Sequence, residues 1–91
     1  MATVNIPVEK GDWQNIISLG SLELTEGNSY TITVLANGES EVCIADTKPN
    51  DTFKGHPTDA KTNFTFGYKA GDIVWVRLNA IAGDTGIVVF S

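Results

Sequence analysis

The sequence has few of the residues that usually carry catalysis. Its 91 residues include one cysteine, Cys43, and one histidine, His56. A single cysteine cannot form an intrachain disulfide, and no serine or cysteine lies in a recognisable nucleophile motif. Cys43 lies within the predicted strand 41–45, where a buried small side chain is expected rather than a reactive thiol. These absences predict that the chain is not an enzyme.

Positive charge is also scarce. Six lysines and arginines face eleven acidic residues, which gives a formal net charge of −5. The basic residues are scattered singly, whereas a nucleic-acid surface needs them clustered. The acidic residues lack the close, regular spacing of a calcium-binding loop. We therefore expect no nucleic-acid partner, no metal and no cofactor.

Long hydrophobic runs are missing as well. No apolar stretch approaches the roughly 20 residues that span a membrane. Residues 1–7 contain no basic region followed by an apolar core, so a secretory signal is not expected. No window of useful length repeats its apolar residues every 3.6 positions, so helices are not expected either.

Alternation of apolar and polar residues is the pattern that is present, and it predicts strands. Two turn signals, Asn37-Gly38 and Gly71-Asp72, each predict a hairpin between the strands that flank them. Pro7 would confine the first strand to a sheet edge. The chain is predicted to be all-β: a single small antiparallel β-sandwich or jelly roll that spans residues 1–91. Its eight or so short strands are predicted at 4–8, 13–19, 21–25, 30–35, 41–45, 64–68, 73–78 and 86–90.

Residues 46–63 break this alternation. They contain two prolines and a glycine among polar residues, with Phe53 as the one large apolar side chain. A long irregular segment in so small a domain is typical of a functional loop or a subunit contact, which makes Phe53 a candidate interface residue.

The strand 73–78 has two unequal faces. Val74, Val76 and Leu78 form the more apolar face and are expected in the core. Ile73, Trp75 and Arg77 then share a half-polar face, which is the second candidate for a subunit contact. Core burial explains Trp75 equally well, and for Trp13 core burial is the favoured interpretation.

Several short motifs together resemble small β-structured virion proteins of tailed bacteriophages. They are a strand led by Trp13, the run Gly27-x-x-Tyr30-Thr31-Ile32-x-Val34, the Asn37-Gly38 turn, the run 42–46, a proline-containing loop, the run 70–77 and a last strand beginning at Gly86.

This resemblance implies a structural, non-enzymatic role in a virion that assembles in the host cytoplasm, as a capsid-decoration protein or as part of a fibre or spike. It also implies a homotrimer that binds the major capsid protein or a tail protein. The alternative from a different class is a carbohydrate-binding module, in which Trp13, Tyr68 or Trp75 stacks on a surface glycan.

Overall fold

The computed structural model describes residues 3–36, 38–50, 55–59, 63–81 and 83–91. Its regular elements are almost all strands. In chain order they are β1 (Val4–Glu9), β2 (Gln14–Asn15), α1 (Ile16–Leu19), β3 (Ser29–Leu35), β4 (Gly38–Ala45), β5 (His56–Asp59), β6 (Asn63–Gly67), β7 (Ile73–Ile81) and β8 (Thr85–Phe90). The all-β prediction is confirmed.

The strands form two four-stranded antiparallel sheets. The first sheet has the order β1-β8-β3-β6, and the second has the order β2-β7-β4-β5. The first strand pairs with the last, the second with the seventh, the third with the sixth and the fourth with the fifth. This nested pairing, rolled into two sheets, is the arrangement of a jelly roll.

One apolar core fills the space between the sheets. The inward residues of the first sheet include Ile6, Ile32 and Phe90, and those of the second include Val76 and Leu78. All five are at most 2% exposed. The central strand β8 carries Gly86 at a close approach, because a Cβ there would lie 3.0 Å from Leu78 Cδ1. The sequence placed the apolar face of 73–78 correctly.

Both predicted hairpins are wrong. The Gly71-Asp72 turn joins β6 in the first sheet to β7 in the second, and Gly38 likewise follows a crossing from β3 to β4. Asn37 lies outside the described residues. The end of β6 is tied instead to the chain before β3, because Tyr68 N donates to Asn28 O at 2.9 Å and Gly27 N donates to Tyr68 O at 2.9 Å.

Of the predicted strand 13–19, only Gln14 and Asn15 form a strand, which is β2. The chain leaves β2 after Asn15, whose side-chain Oδ1 accepts a hydrogen bond from Ser18 N at 3.1 Å. This is an N-cap, and it starts the single turn α1. The turn buries Ile16 completely.

The predicted strand 21–25 is also absent, although its alternation points the right residues inward. Leu22 is buried and Leu24 is half-buried against the core. The segment has no strand partner, because Leu22 N donates to Ile17 O and Thr25 N donates to the Tyr30 hydroxyl.

One strand was missed by the sequence prediction. β5 lies within the segment 46–63 that had been assigned as irregular, and it contains Pro57. It is the outermost strand of the second sheet, where a residue without an N–H costs no ladder hydrogen bond. Pro7 in β1 is at the edge of the first sheet for the same reason, as predicted.

The core assignment is tested by one conservative substitution at two sites. Ile32→Val removes a methylene from a side chain that is 1% exposed, and we expect it to lower the free energy of unfolding by about 0.5–1.5 kcal/mol. The same change at Ile87, which is 42% exposed, should alter it by less than about 0.5 kcal/mol. Urea titration measures both, and equal losses at the two sites would contradict the assignment.

Candidate functional site

The two sheets differ on the faces that point away from the core. On the second sheet, cross-strand register aligns Glu41 with Arg77 and Cys43 with Trp75. These side chains point outward, on the face opposite Val42 and Val76. Trp13, just before β2, covers the same face and is only 3% exposed. We call Trp13, Glu41, Trp75 and Arg77 the covered cluster.

A buried ion pair lies at the centre of the covered cluster. Arg77 Nη2 and Nε donate to Glu41 Oε2 at 2.7 and 3.1 Å. The other carboxylate oxygen, Oε1, accepts the N–H of Gly55 at 2.9 Å. The Arg77 guanidinium carbon lies 4.5 Å from the centroid of a Trp13 ring, a cation–π distance. Because both charges have these partners, their removal from water is compensated.

Gly55 is required where the chain returns to this face. A Cβ at this position would lie 2.8 Å from Trp13 Cη2 and 2.9 Å from Val42 O. Neither atom can move away easily, because one belongs to a buried ring and the other to the backbone of β4. The close approach lets the Gly55 N–H reach Glu41 and fixes the start of β5.

A second, exposed ion pair joins two connections over this face. Lys48 Nζ contacts Asp12 Oδ2, and Asp12 Oδ1 accepts the Trp13 N–H at 2.8 Å. The hydrogen bond from Lys48, followed by the one from Trp13, lowers the pKa of the Asp12 carboxyl. The connection before β2 is thereby held beside the connection after β4.

The candidate interface residues of β7 lie together, as the sequence predicted, but the chain itself covers two of them. Trp75 is 9% exposed and Arg77 is 8% exposed, whereas Ile73 is half-buried. Trp75 Nε1 also donates to Ala45 O at 3.2 Å. Phe53 lies outside the described residues. A contact of these residues with a partner stays a prediction.

The three candidate stacking residues do not share a surface. Trp13 and Trp75 belong to the covered cluster on the second sheet, and each ring is less than a tenth exposed. Tyr68 follows β6 in the first sheet and meets Tyr30 edge-on, with ring centroids 6.5 Å apart. Stacking on a sugar needs an exposed ring face, which neither tryptophan offers.

The sequence predicts that Cys43 is buried, but the structure differs. Cys43 is half-buried and lies next to Trp75 on the outer side of β4. Partial burial raises the pKa of its thiol. The protonated form is therefore favoured, which suits an inert side chain better than a nucleophile.

The outer face of the first sheet is the surface that sequence reasoning missed. We call it the open face, and every residue in it is exposed or half-buried. It consists of the outward residues of its four strands: Asn5, Pro7, Glu9, Ser29, Thr31, Thr33, Leu35, Asn63, Thr65, Gly67, Thr85, Ile87 and Val89.

An apolar row crosses the open face. Ile87 of β8 lies between Pro7 of β1 and Leu35 of β3 in the cross-strand register. Leu35 and Ile87 are 44% and 42% exposed, and they are two of the three exposed large hydrophobic residues among the described positions. The alternation in 30–35 and 86–90 contained this signal, because it turns Leu35 and Ile87 away from the core.

The open face carries one charge, and half of its eight polar side chains are paired with one another. Thr31 Oγ1 lies 3.0 Å from Thr65 Oγ1, and Thr33 Oγ1 donates to Asn63 Oδ1. Glu9, at one end of β1, is the one charged side chain among the thirteen residues of this described surface. Interface centres are depleted of charge in the same way.

Comparison with known proteins gave no match to a protein-family model, a curated protein or a solved structure. Among the described residues, no group of three histidine, cysteine or acidic side chains is placed to hold a metal ion. No helix in the described part of the chain has the length and apolar character needed to cross a membrane.

Breaking the buried ion pair tests its role in covering the second sheet. Glu41→Gln keeps an acceptor for Gly55 N but leaves the Arg77 charge buried without a counter-ion. We expect the free energy of unfolding to fall by about 3–5 kcal/mol, as measured in urea. Replacing both partners, in Glu41→Gln with Arg77→Met, should cost less than Glu41→Gln alone. A double variant less stable than the single one would contradict this account.

The exposed Lys48–Asp12 ion pair predicts how the stability of the fold changes with pH. The lowered pKa of Asp12 means that its contribution to stability is present above the carboxyl's unfolded value of about 3.9 and is lost as pH falls through the folded pKa. The stability difference between the native chain and Asp12→Asn should therefore be constant near neutral pH and shrink below about pH 4. Urea titrations from pH 7 to 3 measure it. A stability difference that grows toward acidic pH would contradict this account.

Proposed function

We propose that this chain is a non-enzymatic structural protein of a tailed-phage virion. In this role it associates with further copies of itself and binds the major capsid protein or a tail protein. The observation that carries the proposal is the open face, an outer sheet surface with a single charged side chain, crossed by the exposed row Pro7, Ile87 and Leu35. Such a surface suits contact with another protein.

The fold is compatible with this role but does not select it. Jelly rolls are used by viral capsid proteins and by lectins alike, so a function argued from the fold alone is an analogy. The sequence resemblance to small phage virion proteins favours the first of these. A glycan-binding role is less well supported, since Trp13 and Trp75 are covered.

The covered cluster supports a structural role in a different way. Glu41 and Arg77 bind each other, and they also contact Gly55 and Trp13. These contacts hold Trp13 and Gly55 against the second sheet, as expected of a structural module. The trimeric state is carried by the resemblance alone, and the mass of the native particle tests it.

The proposal is tested in virions of the phage whose genome encodes the chain. We expect mass spectrometry of density-purified particles to find it at a fixed ratio to the major capsid protein. An Ile87→Glu copy supplied in trans should be lost from the particles, because it places a charge in the open face. Leu19→Glu, a control at the 52% exposed Leu19 of α1, should be retained. Recovery of the native chain only from the soluble fraction would contradict the proposal.

A further inference from the structure

The low charge of the open face indicates what kind of partner covers it. Its thirteen residues include one charged side chain, although the whole chain has a net charge of −5. A basic partner would be recognised through acidic residues on the contact surface, because charge complementarity steers and selects partners. The open face offers no such residues beyond Glu9 at its end. The partner that fits it is a surface that carries equally little charge.

We propose that the open face binds the open face of a second copy of this chain, sheet against sheet, about a two-fold axis. The inference rests on the proposed function in one respect, that the open face is an assembly surface. A two-fold contact brings the same patch of both chains together. It produces dimers, which departs from the trimer that the resemblance implies.

Charge also favours this contact over others between copies. Two acidic chains repel one another, and the repulsion is weakest where the contact surfaces carry the fewest charges. The second sheet is less suitable, since Trp13 and the segment that begins at Gly55 already bury the Glu41–Arg77 pair on its outer face. The open face is free of any such covering segment among the described residues.

Half of the eight polar side chains of the open face already have partners within it. Thr31 and Thr65 hydrogen-bond to each other, and so do Thr33 and Asn63. These pairs survive when a second sheet is laid over them, which lowers the desolvation cost of the contact. The apolar row then supplies the favourable free energy of association. The rows of the two copies face each other across the axis, at the spacing of about 10 Å that packed sheets adopt.

The size of the face predicts a reversible dimer. Four strands about 4.8 Å apart and about six residues long give a sheet area of roughly 400 Å² per copy. This is about half the 800 Å² per partner of a standard stable interface. Association is therefore expected at micromolar or higher concentrations, and a virion that presents many copies close together would strengthen it.

Sedimentation velocity of the purified chain over a concentration series tests the proposal. We expect a shift from one-chain to two-chain particles as the concentration rises. Ile87→Glu should weaken dimerisation at least about tenfold, because it buries an uncompensated charge. Leu19→Glu introduces the same charge outside the open face and should dimerise like the native chain.

A charge-reversal mixture tests that the two faces meet each other. Ile87→Glu and Ile87→Lys should each be monomeric alone, and an equimolar mixture should recover dimers. Circular dichroism and urea titration establish that both variants are folded, and Leu35→Glu serves as a second variant if either is not.

A native chain that stays monomeric at several hundred micromolar overturns the pairing, and so does a trimer or a dimer that Ile87→Glu leaves unchanged. A monomeric chain that is nevertheless recovered in purified virions would overturn the pairing alone. A dimeric chain absent from virions would overturn the proposed function alone.

Discussion

A jelly roll of two sheets has four faces, and one core covers only two of them. In a chain of 91 residues, the material left to cover the outer faces is small. On the second sheet, Trp13 and the backbone of Gly55 lie against the Glu41–Arg77 pair, whereas the outward residues of the first sheet are all exposed or half-buried. The first sheet keeps a bare outer face. The asymmetry between the two sheets leaves the open face available for the assembly that we propose.

The buried ion pair explains how a hydrophilic face is covered without a second hydrophobic core. Glu41 accepts hydrogen bonds from Arg77 and from the backbone of Gly55, and Arg77 also lies against Trp13. Each partner satisfies a group that would otherwise be buried at a cost. Such a network adds little net stability compared with apolar packing, but it specifies which segment lies where.

The sequence was sufficient for the fold class and for the inward face of most strands, because burial imposes a period of two on each strand independently of its partners. It was not sufficient for the connections. Asn37-Gly38 and Gly71-Asp72 are proper turn residues, but turn chemistry does not tell whether the chain returns to the same sheet or crosses to the other. Trp75 and Arg77 were assigned correctly to the outer face of β7, but only the fold brings Trp13 and Gly55 over them. The open face was missed because Leu35 and Ile87 are far apart in sequence and become neighbours only through the pairing of β3 with β8.

The central claim is that the open face, and not the covered cluster, is the contact surface. A dilution series of ¹⁵N–¹H correlation spectra tests it most directly, because each backbone amide and each indole reports on its own surroundings. The account predicts concentration-dependent shifts at Leu35, Ile87 and Val89, with the indole signals of Trp13 and Trp75 unchanged. Shifts confined to the two indoles and to the amides of Ile73 and Arg77 would contradict it.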